Sequence, residues 1–218
     1  MRHWWSIAAI CSLALTATTG CATRIDDYAG ETPKFAMESF FTGDLRAWGV
    51  FQDRNGKVVR RFTVDMTGRW DGNTGVLEED FVFADGETDR RVWTFRKTGP
   101  DTYTGTADDV VGEATGVVAG NALRWEYRLR LPVDDKVYTV TFDDWMYLLD
   151  ENRMVKRSDM KKFGVRLGEV ILFFEKTGGA TCGCSLPGTE PACCRYALYP
   201  GSPASSPSPC ARGSGGTA

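Results

Sequence analysis

Residues 123–131 read Leu-Arg-Trp-Glu-Tyr-Arg-Leu-Arg-Leu, and their strict alternation decides the architecture of the chain. Leu123, Trp125, Tyr127, Leu129 and Leu131 share one face of an extended segment. Arg124, Glu126, Arg128 and Arg130 share the other. A period of two belongs to a strand with one buried and one solvated face. Val58 to Trp70 repeats the pattern, with Phe62, Val64, Met66 and Trp70 on the apolar side. Tyr138, Val140 and Phe142 continue it, and the last strand ends in the hydrophobic run Val170 to Phe174. Turn chemistry separates these runs at Asp53-Arg54-Asn55-Gly56, Asp71-Gly72-Asn73-Thr74-Gly75, Ala84-Asp85-Gly86, Gly99-Pro100-Asp101, Gly120-Asn121 and Pro132-Val133-Asp134-Asp135. There is no long amphipathic helix and no βαβ rhythm. The expected fold is all-β, an antiparallel up-and-down lipocalin-like barrel of roughly 8–10 strands, because closure removes exposed strand edges. A flattened sandwich is the alternative. A barrel of this size can hold one small ligand inside.

Outward from the strands, the N-terminus reads MRHWWSIAAICSLALTATTGC. Arg2 and His3 give a short positive region, Trp4 to Leu15 an apolar run, and Thr16 to Gly20 a small-residue segment. This is the layout of a bacterial export signal, expected as a helix over residues 1–20 and too short for a permanent membrane span. Thr18-Thr19-Gly20-Cys21 resembles a lipobox, with Thr18 where Leu is commonest. Cys21 is therefore expected to be acylated, and residues 21–34 to link it to the barrel at 35–176. Two or three acyl chains hold a protein on a bilayer far more firmly than one. Ala22 follows the cysteine where Asp would mark inner-membrane retention in enteric-type sorting. The expected address is the cell envelope, on the periplasmic face of the outer membrane. An ordinary cleaved signal, or a retained anchor, is the alternative.

Beyond Lys176 the composition changes. The tail, residues 177–218, is mostly Gly, Pro, Ala, Ser and Cys, with no Lys, Asp, Val, Ile, Phe, Met or Trp. It cannot supply a core and is expected to be disordered, or the product of a frameshifted gene end. Cys182, Cys184, Cys193, Cys194 and Cys210 lie here, in spacings unlike zinc modules, and their odd number leaves one unpaired. A disulfide knot is the competing reading. Without leader and tail, 23 basic side chains face 28 acidic ones, a balance near −5 with both signs interspersed. That excludes a basic nucleic-acid footprint.

Histidine occurs only at position 3, and no cysteine lies between Cys21 and Cys182. Ser-His and Cys-His nucleophile pairs and His-ligated metals are therefore absent from the domain. Serine between leader and tail is limited to Ser39 and Ser158, without a nucleophile elbow, and no glycine-rich phosphate loop opens a helix. No catalytic residue, metal or cofactor is assigned. Asp108-Asp109 and Asp143-Asp144 are adjacent pairs whose side chains diverge in a strand, one to a turn or an Arg and the other to solvent.

Parity singles out Arg60 beside Phe62 and Val64, Glu79 beside Leu77 and Phe81, and Asp144 beside Val140 and Phe142. Charges on an interior face must pair, reach the barrel mouth or meet a polar ligand. Arg60 among aromatics suits a fatty-acid carboxylate. Trp93 and Trp125 are candidate ligand contacts, although all of Trp48, Trp70, Trp93, Trp125 and Trp145 are first read as core packing.

Several segments carry a resemblance. They include Gly68-Arg69-Trp70-Asp71-Gly72, Tyr103-Thr104-Gly105-Thr106-Ala107-Asp108-Asp109-Val110-Val111-Gly112-Glu113-Ala114, Phe142-Asp143-Asp144-Trp145-Met146-Tyr147-Leu148 and Lys162-Phe163-Gly164-Val165-Arg166-Leu167-Gly168-Glu169-Val170. Over Tyr28 to Lys176 the chain resembles the bacterial lipoprotein family known as domain of unknown function 3833. The resemblance implies a lipobox-bearing, lipocalin-like protein that ends soon after Phe173-Phe174-Glu175-Lys176, and it leans the ligand towards lipid. It implies no activity and no catalytic residues. Three readings follow: a non-enzymatic holder of an acyl chain, a carboxylate-dependent lipid-modifying enzyme or accessory, and a structural or partner-docking lipoprotein. The first is preferred. The protein partner is unknown.

Overall fold

A computed structural model of the chain describes residues 23–133 and 135–177. The leader, Cys21 and the tail from residue 178 lie outside the described residues. Ten strands form one closed, wholly antiparallel barrel. They are β1 (Gly43–Asp53), β2 (Val58–Asp71), β3 (Thr74–Phe83), β4 (Thr88–Lys97), β5 (Thr102–Thr106), β6 (Ala114–Ala119), β7 (Ala122–Val133), β8 (Lys136–Leu148), β9 (Arg153–Lys162) and β10 (Val165–Lys176). Each pairs with its sequence neighbour, and β1 pairs with β10 from Leu45–Lys176 to Asp53–Gly168. The result is the expected up-and-down lipocalin-like meander, with no sandwich. No helix of the described residues is long and apolar enough to cross a membrane.

The alternation that defines the strands also builds the core. On β7, Leu123, Trp125, Tyr127 and Leu129 point inward and are buried, while Glu126, Arg128 and Arg130 are exposed. The outward charges pair across strands. Arg124 and Lys161 both reach Asp143, and Arg46 reaches Asp65. Such cross-strand pairs fix register at modest energy each.

Several inward glycines serve the aromatic rings. Cβ atoms built at Gly49, Gly75 and Gly116 would fall within 2.5 Å of the Phe62, Trp70 and Trp125 rings. Those rings are their direct cross-strand partners. Large rings therefore lie flat over bare backbone and do not stand up into the lumen.

One end is stoppered. Residues 35–41 (FAMESFF) enter before β1 and place Phe35, Met37, Phe40 and Phe41 in the core, around the one-turn helix α1 (Met37–Phe40). The Phe35 N–H donates to Gly120 O at 2.7 Å. Burial pushes the Glu38 carboxyl up, but hydrogen bonds from Lys97 and Tyr103 outweigh it and hold it below its ordinary value. The preceding stretch, expected as a linker, carries a 3-10 turn at Ile25–Tyr28. Its Tyr28 ring lies 5.2 Å from Tyr147 and 6.1 Å from Trp145 on the outer wall.

Two tryptophans correct the expectation of core packing. Trp48 is 42% exposed, outside the barrel beside Phe173, and Trp145 faces outward between Tyr28 and Tyr147. Each sits one residue out of step with its strand's inward face, and parity outranks residue type.

The stopper makes a sharp test. A Cβ at Gly68 would lie 1.7 Å from the backbone oxygen of Phe41, so neither chain can accept it without moving. Gly68→Ala should lower stability by about 1–3 kcal/mol, as overpacking does. In thermal denaturation this appears as a lower midpoint; an unchanged midpoint would show that the stopper is not held as described.

Candidate functional site

Above the stopper the lumen is hollow, with a cavity of about 640 Å³. That is within the ordinary size range of small-molecule sites. Its floor is aromatic. Trp93 and Phe95 lie parallel with centroids 5.6 Å apart, Trp70 stacks on Phe95 at 6.3 Å, and Trp125 meets Trp93 edge-on at 5.9 Å. Phe62, Phe81, Leu129, Leu131 and Phe142 line the half nearer the mouth.

Between floor and mouth runs a belt of polar side chains. Asp144 on β8 is fully buried; Lys156 on β9 approaches its Oδ2 at 2.5 Å, and the Ser158 hydroxyl donates to its Oδ1. Arg91 on β4 grips Asp109 of the β5–β6 loop with two donors, Nη2 at 2.6 Å and Nε at 3.0 Å. The remaining Arg91 nitrogen, Nη1, stands 4.0 Å from Glu79 on β3. Glu79 is directly opposite Arg91 in the β3–β4 ladder. The Tyr127 hydroxyl faces the same belt without a hydrogen bond among the described residues, within electrostatic reach of Asp144, Arg91 and Glu79.

Electrostatics distinguish these groups. Burial pushes the Glu79 carboxyl above its ordinary value, and the nearby positive charges of Arg91 and Lys156 only partly offset it. Burial likewise raises the Tyr127 phenol, which stays a neutral donor.

Of the residues singled out from sequence, Glu79, Trp93, Trp125 and Asp144 all line this one cavity. Arg60 lines it too, but at the mouth. Its guanidinium lies 3.5 Å from the Phe83 ring centre and is engaged by Glu87, with Asp85 at 3.6 Å. Of the adjacent aspartates, Asp109 and Asp143 pair with Arg91 and Arg124, but Asp144 is not solvated; it is the most buried charge of the belt. Sequence reasoning missed Arg91, Lys156, Ser158, Asp109 and Tyr127 as site residues. For four of these the signal was parity: Arg91 is in step with Trp93 and Phe95, Tyr127 with Trp125 and Leu129, and Lys156 and Ser158 with Met154 and Met160. Asp109 comes from a loop, where parity has no meaning.

Glu79 gives a pH test. A carboxyl raised by folding contributes stability that is full below its ordinary 4.5 and lost as pH rises through the folded value. Glu79→Gln, a neutral mimic, should therefore melt above the parent at pH 7.5, and the gap should narrow as the pH falls. Parallel thermal melts of both proteins check this, since all other titrating groups are shared.

Among curated proteins none matches the sequence significantly. The barrel is similar to an S-type phycobiliprotein lyase, CPES, from Guillardia theta, with a TM-score of 0.51 at 8% identity, covering 71% of this chain and 98% of that one. It also aligns with a protein of unknown function from the DUF3598 family of Nostoc punctiforme, with a TM-score of 0.47 at 13% identity, over 67% of this chain and 51% of that one. At 8% identity the likeness to the lyase shows the fold alone. The sequence of residues 15–176 matches the family described as "Protein of unknown function (DUF3833)", and the chain belongs to that family.

Proposed function

We propose that this protein is a membrane-anchored lipoprotein that holds a fatty-acyl lipid in its barrel without chemical change to it. The observation that carries the reading is the hollow lumen of about 640 Å³, walled by aromatic and aliphatic side chains and stoppered at one end. Burying an acyl chain there gains roughly 0.8 kcal/mol per CH₂. The mouth supports access from a lipid surface. Around it Phe163 is 95% exposed, Val165 64% and Val137 65%, and Lys162 rises over Tyr138 close by. In this reading Cys21 carries the acyl anchor and the protein stands in the bacterial envelope, on the periplasmic face of the outer membrane.

A carboxylate-dependent enzyme is the second reading, and one observation favours it. Glu79 is a carboxyl of raised proton affinity facing a ligand-sized cavity, the condition for a general base. Against a purely structural role stands the unfilled lumen. The outer wall does offer a partner an apolar strip of Trp48, Val82, Ile171 and Phe173.

The test is to express the full chain with its leader in a bacterial host, purify it and extract bound lipid for mass spectrometry. A stoichiometric acyl compound is expected, and the intact mass should show diacylglyceryl addition at Cys21. Cys21→Ser should move the protein from the membrane to the soluble fraction with its cavity lipid still bound. An empty barrel that takes up no acyl compound overturns the holder reading, and an unacylated Cys21 overturns the anchor.

A further inference from the structure

The charges inside the barrel are already matched to one another, and this restricts what can join them. Lys156 is held by Asp144 at 2.5 Å, and Arg91 by Asp109 through two donors. Glu79 is a third carboxyl facing only these two cations. The mouth repeats the arithmetic, because Arg60 is engaged by Glu87 and Asp85, and Asp89 also lines the lumen. Among the described residues that line the lumen, Arg60, Arg91 and Lys156 are the cations, and at neither level is one of them left over for an incoming anion.

An anion brought to the belt would lose its water and meet an existing surplus of acids. Buried charge is tolerated only with a partner, so a free carboxylate would have to break an ion pair already formed. What the belt does offer is hydrogen bonding. The Tyr127 hydroxyl has no partner among the described residues, and Ser158 and Lys156 sit at the same level of the wall.

Resting on the acyl-binding reading, we propose that the polar group recognised in this cavity is uncharged, the hydroxyl, amide or ester carbonyl of a neutral acyl lipid, and that the belt rejects a free carboxylate. The Tyr127 hydroxyl is the principal donor. The fatty-acid anchor expected from Arg60 is thereby replaced by a neutral-lipid site about halfway down the lumen. The polar group lies at the belt, and the chain fills the apolar space beside it.

The experiment compares four probes with the same sixteen-carbon chain: hexadecanol, palmitamide, palmitate and hexadecylamine. Quenching of cavity tryptophan fluorescence at pH 7.5 is followed on the full chain carrying Cys21→Ser. Hexadecanol and palmitamide should bind at least tenfold more tightly than palmitate. Asp144→Asn frees Lys156 from its carboxylate and should raise palmitate affinity at least tenfold relative to hexadecanol on the same variant. Tyr127→Phe should weaken hexadecanol several-fold. Palmitate binding as tightly as the alcohol, or hexadecylamine binding tightest of all, overturns the neutral-group assignment and leaves the acyl-holder reading standing. If none of the four binds, both fall together. The ranking on the parent chain decides the matter even if a variant fails to fold.

Discussion

The pairing of β1 with β10 is the interaction on which everything else rests. It joins the first strand to the last along Leu45–Asp53 and Lys176–Gly168, and so turns a meander into a wall without edges. Only with the wall closed do the inward faces of ten strands meet in a common interior. A circumference of ten strands encloses more space than side chains readily fill, and the protein manages the excess in three ways. The stopper of Phe35, Met37, Phe40 and Phe41 fills one end, rings laid over glycines thicken the wall, and the remainder stays open.

The alternating strands, the turns and the closed barrel were legible because period two and turn chemistry are local properties of a sequence. Parity also placed Arg60, Glu79 and Asp144 on the inner face correctly. It could not say how high on the wall each stands. Height depends on the stagger of neighbouring strands, which puts Arg60 at the mouth beside Glu87 and Asp144 deep beside Lys156. Lys156 was hidden for another reason. In Arg153-Met154-Val155-Lys156-Arg157-Ser158-Asp159-Met160 polar residues occupy both faces, so composition masks the inward step of Met154, Lys156, Ser158 and Met160. Trp48 and Trp145 misled in the opposite sense, since a large aromatic looks interior wherever it stands.

The belt illustrates how a greasy lumen tolerates charge. Each cation was placed with its own acid from a different strand or loop, so the pairs also tie the wall together: β8 to β9 through Asp144 and Lys156, and β4 to the β5–β6 loop through Arg91 and Asp109. The second tie matters because β5 and β6 are the shortest strands of the barrel. There the loop bearing Asp109, joined to β7 by the Val110–Leu129 bridge, completes the wall. The loop that finishes the wall thus also supplies the acid that holds Arg91, a side chain lining the lumen.

The stopper has a consequence for traffic. A vessel sealed at its base has one door, and whatever goes in must come out by the same opening. Among the described residues the base is closed, so the lumen is not an open-ended tube. If a ligand is held there, as proposed, its loading and its release share that one mouth.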